Sequence, residues 1–208
     1  MTTSADIQVQ TDVPARMRDG VILRADVYRP AEPGAYPVLL TRTPYDKASP
    51  ADADTARALA LHGYIAVVQD VRGRFASEGT YRVLDDDSDD GCDAILRATG
   101  LEGASGVVGM FGGSYTGYTQ FQAAARQPAP LRAIFPIMCS PSLYERWYEG
   151  GAVALGDMLG WQLGSALEAA DRRHADAPEL RRYGALGREL LEALLAGDQA
   201  AAARARSA

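Results

Sequence analysis

The chain has 208 residues, 47% of them apolar and 23% charged, with 21 Lys and Arg against 27 Asp and Glu for a formal charge of −6. That composition belongs to a folded globular protein and excludes a disordered, collagen-like or disulfide-dense chain, while the lack of a basic block argues against a nucleic-acid partner, whose phosphates need clustered Lys and Arg. Cys92 and Cys139 have neither a disulfide framework nor a metal-ligand spacing, no apolar run reaches the length of a membrane span, and Met1–Asp6 lacks the basic and apolar regions of an export signal, so a cytoplasmic protein is expected.

In chain order, Ile7–Thr11 alternates apolar and polar residues, as a half-buried strand does. Asp19-Gly20 then signals a tight turn, and Val21, Leu23, Ala25 and Val27 share one face of the following run to Tyr28. Together these predict an antiparallel hairpin at a sheet edge. After a Pro/Gly loop over 29–37, Val38–Thr41 predicts a short buried strand, and from there helix and strand alternate. Helices are expected over 52–61 (closed by Gly63), 85–98 and 115–126, and strands over 64–69, 107–111 and 131–138. Strand–helix–strand repeats imply an α/β fold, a mostly parallel sheet with helices on both faces. The acidic start of the second helix, Asp85, Asp86, Asp87, Asp89 and Asp90, is expected to be a solvated helix N-terminus favoured by the helix dipole, not a metal site. Past Cys139 the composition shifts to Tyr144, Trp147, Tyr148 and Trp161 among glycines, then to an Ala/Leu/Arg/Glu-rich run over 165–206. Two parts are therefore expected: 1–140, and a helical cap segment over 141–208 whose Ala/Arg tail, 200–208, frays.

The strongest chemical signal is Gly109-Met110-Phe111-Gly112-Gly113-Ser114-Tyr115-Thr116-Gly117, between a predicted strand and a predicted helix. This is the context of a nucleophile elbow, in which the chain turns sharply and the serine points outward. Glycines relieve the crowding, and the amide after the serine, at a helix N-terminus, can donate to an oxyanion. On spacing alone a phosphate-binding or purely packed glycine turn is the alternative. No lysine follows as in a P-loop, and the segment does not spell G-x-G-x-x-G.

Three segments in order resemble the CocE/NonD hydrolases, the group that takes in cocaine esterase-like esterases, α-amino-acid ester hydrolases and X-Pro dipeptidyl-peptidases. They are Arg42-Thr43-Pro44-Tyr45-Asp46-Lys47; Gln69-Asp70-Val71-Arg72-Gly73-Arg74 running on to Ser77-Glu78-Gly79; and Gly112-Gly113-Ser114-Tyr115-Thr116-Gly117. Asp90-Gly91-Cys92-Asp93 resembles a fourth family segment, and the likeness spans about residues 10–165. It implies the N-terminal portion of an α/β-hydrolase fold with the start of a helical cap, and a serine hydrolase of the ester or amide type working through an acyl-enzyme, with no metal or organic cofactor. By position it makes Ser114 the nucleophile and gives the oxyanion hole the Tyr115 backbone N–H and the Tyr45 phenol. It places Trp147 and Trp161 where the cap supplies aromatic walls for the acyl group; packing within the cap explains them equally. Asp70, Arg72 and Arg74 are expected to form a buried polar network. The substrate would be a small ester, an amide or a short peptide.

In such hydrolases the acid and histidine follow the serine in the chain, and in this family they follow the cap. They are expected beyond residue 208, so a catalytically incomplete piece is the alternative, and an incomplete sheet predicts self-association. The two histidines present do not replace them easily: His62 is expected to cap a helix C-terminus, and His174, which with Asp157 has the right order, lies in a charged helical run.

Overall fold

The computed structural model describes residues 6–173, 185–189, 192–193, 196–200 and 204. The chain divides into two compact units, Met1–Pro141 and Ser142–Ala208.

The first unit is built on a six-stranded sheet. Its elements are β1 (Ile7–Arg16), β2 (Ile22–Pro30), β3 (Tyr36–Thr43), α1 (Pro50–Leu61), β4 (Ile65–Asp70), α2 (Asp87–Ala98), β5 (Ala104–Gly113), α3 (Tyr115–Ala125) and β6 (Leu131–Ile137). The strand order is β1-β2-β4-β3-β5-β6, antiparallel across β1–β2–β4 and parallel across β4–β3–β5–β6. The β1–β2 hairpin closes at Gly20, whose φ of +93° suits glycine. β1 runs further than its alternation suggests because a register shift between Gln10 and Val13 lets it bend and continue; there the Asp12 N–H donates to Asp26 Oδ1 at 2.9 Å.

β4 shows why helices cover both faces. All six of its residues, Ile-Ala-Val-Val-Gln-Asp, are buried. Ile65 and Val67 face Ala94, Ile95 and Ala98 of α2 and Ala123 of α3, while Ala66 and Val68 face Ala56 and Ala60 of α1 beside Tyr28. Alternate side chains of a strand point to opposite faces, so an uninterrupted apolar run needs a layer on each side. α1 starts on Ser49, whose hydroxyl accepts from the Asp52 N–H, followed by Pro50; it ends at His62, whose Nδ1 lies 2.7 Å from the Ala58 carbonyl. His62 is thus the C-terminal cap that its position suggested.

The acidic start of α2 departs from expectation. Asp87 and Asp90 are buried, not solvated. Residues three apart share one helix face, and these two turn inward to meet arginines. Asp87 Oδ1 accepts from Arg42 Nη1 at 2.8 Å, and Asp90 Oδ1 accepts from Arg72 Nη2 at 2.6 Å. Asp85 stays exposed.

The second unit contains α4 (Leu143–Trp147), the short antiparallel pair β7 (Tyr148–Glu149) and β8 (Ala152–Val153), and α5 (Leu155–Arg173). The pair turns on Gly150 and Gly151, both at positive φ, a two-residue hairpin that the glycine-rich stretch had concealed. The helical run expected over 165–206 is described as α5 as far as Arg173; His174 and most of the Ala200–Ala208 tail lie outside the described residues. Among the described residues no helix is long and apolar enough to cross a membrane.

Candidate active site

The chain leaves β5 at Gly113 and enters α3 at Tyr115, so Ser114 alone makes the turn. Its backbone has φ +55° and ψ −124°, where a non-glycine residue stores strain of about 1–3 kcal/mol. The surroundings hold it there. Its N–H donates to the Ile137 carbonyl at 2.8 Å, and its own carbonyl accepts from the N–H groups of Gly117 at 2.9 Å and Tyr118 at 3.1 Å. Ser114 is exposed, although the next six residues are buried. An elbow of this kind lifts one hydroxyl out of a packed turn.

The neighbouring glycines follow from contact distances. A Cβ on Gly112, at φ +134°, would lie 2.1 Å from Thr116 Oγ1; one on Gly117 would lie 2.3 Å from Cys139 Sγ. Tyr115 is the first residue of α3, where N–H groups precede the first acceptor of the helix and the dipole favours negative charge.

Tyr45 follows β3 at the carboxyl end of the same parallel strands. Its ring meets the Tyr115 ring edge-on, with centroids 6.4 Å apart and planes at 74°, and it is 44% exposed. The loop that carries it is tied down on several sides. The Tyr45 N–H donates to Thr43 Oγ1, Arg74 Nε donates to the Pro44 carbonyl at 2.8 Å, and the Lys47 N–H donates to Asp70 Oδ1 at 2.8 Å. Lys47 Nζ is also paired with Asp12 and Asp26. Asp70, fully buried at the end of β4, accepts from the Ala76 N–H as well, and burial pushes its carboxyl up to about 6 against the pull of these two amides. Arg72 pairs with Asp90 and Asp19, which joins the β4–α2 connection to the β1–β2 turn.

Behind the elbow runs a chain of polar groups that single-residue inspection of the sequence does not reveal. The Tyr115 hydroxyl donates to Asp87 Oδ2 at 2.7 Å and accepts from the Leu84 N–H at 3.1 Å. Asp87 is held by Arg42, whose Nε donates to Gln69 Oε1 at 2.9 Å. Burial raises the pKa of the Asp87 carboxyl, with Arg42 pulling the other way. Burial and then the Asp87 charge raise that of the Tyr115 phenol, so it is a firm donor at any working pH. The available signal was Arg42 itself, a charge directly after the predicted buried strand Val38–Thr41.

Ser114, Tyr115 and Tyr45 are thus brought to one end of one sheet. His62 is not. Val38 aligns with Ile65 in β4 and with Val108 in β5. His62 precedes Ile65 at the amino end, whereas Ser114 lies six residues beyond Val108 at the carboxyl end. At ~3.3 Å per residue the six residues beyond Val108 alone reach ~20 Å from the level of Ile65, and His62 lies three residues further back. His174 is outside the described residues, as is the side chain of Asp157. Trp147, half-buried, ends α4 beneath the Arg146 guanidinium at 4.8 Å, and Trp161 is half-buried in α5.

A mostly parallel sheet flanked by helices, with a serine on the strand–helix turn at its carboxyl end, is the architecture of the α/β-hydrolases. The sequence pattern of the X-Pro dipeptidyl-peptidase (S15) family matches residues 19–206, and the chain belongs to that family, which is the CocE/NonD hydrolase group. It is 40% identical over 188 residues to cocaine esterase from Rhodococcus sp. (strain MB1 Bresler), covering 86% of this chain and 33% of that protein. Among solved structures it is similar to an aminopeptidase from a marine-sediment Thaumarchaeota archaeon (26% identity, TM-score 0.66, 79% of this chain and 31% of the other). An α-amino acid ester hydrolase is similar to the same degree (29% identity, TM-score 0.65, again 79% and 31%). The chain spans about a third of the length of these relatives.

Proposed function

We propose that the chain carries the acyl-transfer machinery of a serine hydrolase acting on a small ester, an amide or a short peptide. Ser114 Oγ attacks the carbonyl carbon and surrenders its proton to a base; the carbonyl oxygen, now negative, is received by the Tyr115 N–H and the Tyr45 phenol. Collapse of the tetrahedral adduct expels the alcohol or amine, which takes up the proton, and water then releases the acid from the acyl-enzyme. The observation that carries this reading is the exposed, strained Ser114 on an elbow whose next residue packs against Tyr45. Trp147 and Trp161 enter only through the resemblance, as contacts for the acyl group.

A second reading, that these residues hold nucleophile and oxyanion donors without their base, is favoured by the place of His62 at the amino end of the sheet, more than ~20 Å along the strands from Ser114. A fluorophosphonate probe tests the main one. Covalent labelling confined to Ser114 and abolished in Ser114→Ala is the expected result. Labelling spread over other serines, with Ser114→Ala unaffected, would overturn it.

A further inference from the structure

If the Tyr115 backbone is what the chemistry uses, its side chain still needs an explanation. Phenylalanine would fill the same apolar space; the hydroxyl, on a side chain 3% exposed, is an added polar burden. It is hydrogen-bonded both as donor and as acceptor. It donates to Asp87 Oδ2 at 2.7 Å and accepts from the Leu84 N–H at 3.1 Å, both outside α3. Asp87 is in turn fixed by Arg42 Nη1 at 2.8 Å, and Arg42 is wholly buried. The same ring carries one proposed oxyanion donor on its own backbone and touches the other, Tyr45, at 6.4 Å edge-on. Together with the Leu84 N–H and the neighbouring Tyr81 ring, the bond to Asp87 ties the first residue of α3 to α2 and gives Tyr45 a fixed ring to rest on.

We propose that Asp87, acting through the Tyr115 phenol, is a positioning residue that holds the two oxyanion donors in register. This rests on the acyl-transfer reading above. The test uses Ser114→Cys in the whole chain, because a thiolate attacks without a neighbouring base. Two rates are followed at residue 114 by peptide mass spectrometry, which separates it from Cys92 and Cys139: acylation by p-nitrophenyl acetate, which needs an oxyanion hole, and alkylation by iodoacetamide, which does not.

Adding Tyr115→Phe is expected to slow acylation about tenfold or more, a fraction of the ~10²–10³-fold loss typical of removing an oxyanion donor outright, and to leave alkylation within about twofold. Asp87→Asn is expected to do the same alone and to add nothing in the Tyr115→Phe background. Equal loss of both rates, or no loss of either in Tyr115→Phe, overturns the inference; because that variant keeps the Arg42–Asp87 pair, it decides the matter even if Asp87→Asn does not fold. Tyr45→Phe separates the two levels. If it lowers the acylation-to-alkylation ratio and Tyr115→Phe does not, only the positioning role fails. If it leaves the ratio unchanged, the oxyanion reading fails and takes this inference with it.

Discussion

At the scale of single residues, the elbow is held by what cannot be added to it. The Gly117 Cβ position is 2.3 Å from Cys139 Sγ and 3.4 Å from the Gly112 carbonyl. The first neighbour is a side chain on the segment that follows β6; the second is the strand end that feeds the turn. A methyl at 117 must displace one or both, and overpacking of this kind costs typically ~1–3 kcal/mol. Gly117→Ala should therefore lower the urea midpoint by an amount in that range. If Cys139 is the obstacle, Cys139→Ala in the same chain should recover at least half of the loss, because it removes the sulfur and leaves only Cβ, at 3.3 Å. Additive losses in the double variant would instead place the strain in the α3 backbone.

At the scale of elements, much of the first unit was legible because its signals are local. The period of two in β2, the apolar run of β4, Ser49-Pro50 before α1 and Gly63 after it each declare an element without help from distant residues. Ser114, Tyr45 and Tyr115 were legible from three short segments in order. What was not legible depends on partners far apart in the chain: a helix start is solvated unless something buried reaches it, and here Arg42, on β3, pulls Asp87 of α2 inward from 45 residues away. The burial of Asp70 was legible, but its partner was not. Asp70 ends β4 yet serves the loop that carries Tyr45, and burial pushes its carboxyl up to about 6. Between an ordinary carboxyl value near ~3.9 and 6, the folded protein keeps a proton that the unfolded chain has released. The stability this gives is complete below about pH 4 and is lost as the pH climbs through 6. Asp70→Asn cannot titrate. Relative to this variant, the parent should lose on the order of 2–3 kcal/mol between pH 4 and pH 7, read from urea unfolding at both. Parallel profiles for the two proteins would mean that the carboxyl titrates as it does in the unfolded chain.

At the scale of the whole molecule, the parallel strands decide which groups can meet. Everything that leaves β3 and β5 at their carboxyl ends, Tyr45 and Ser114 with Tyr115, gathers on one side. His62, which precedes β4, belongs to the other end of the sheet. A serine hydroxyl without a base is a weak nucleophile at neutral pH, although oxyanion donors and binding alone still give ~10³–10⁴-fold over water in triad-depleted hydrolases. A base supplied from solution should therefore find a prepared site. Imidazole at tens of millimolar is expected to raise fluorophosphonate labelling of Ser114 several-fold in this chain, with a smaller gain in Tyr45→Phe and no dependence on His62. His62→Ala should label at the parent rate with and without imidazole. If labelling is instead fast without imidazole and collapses in His174→Ala, the second histidine of the chain is the base and the serine is fully served within these 208 residues.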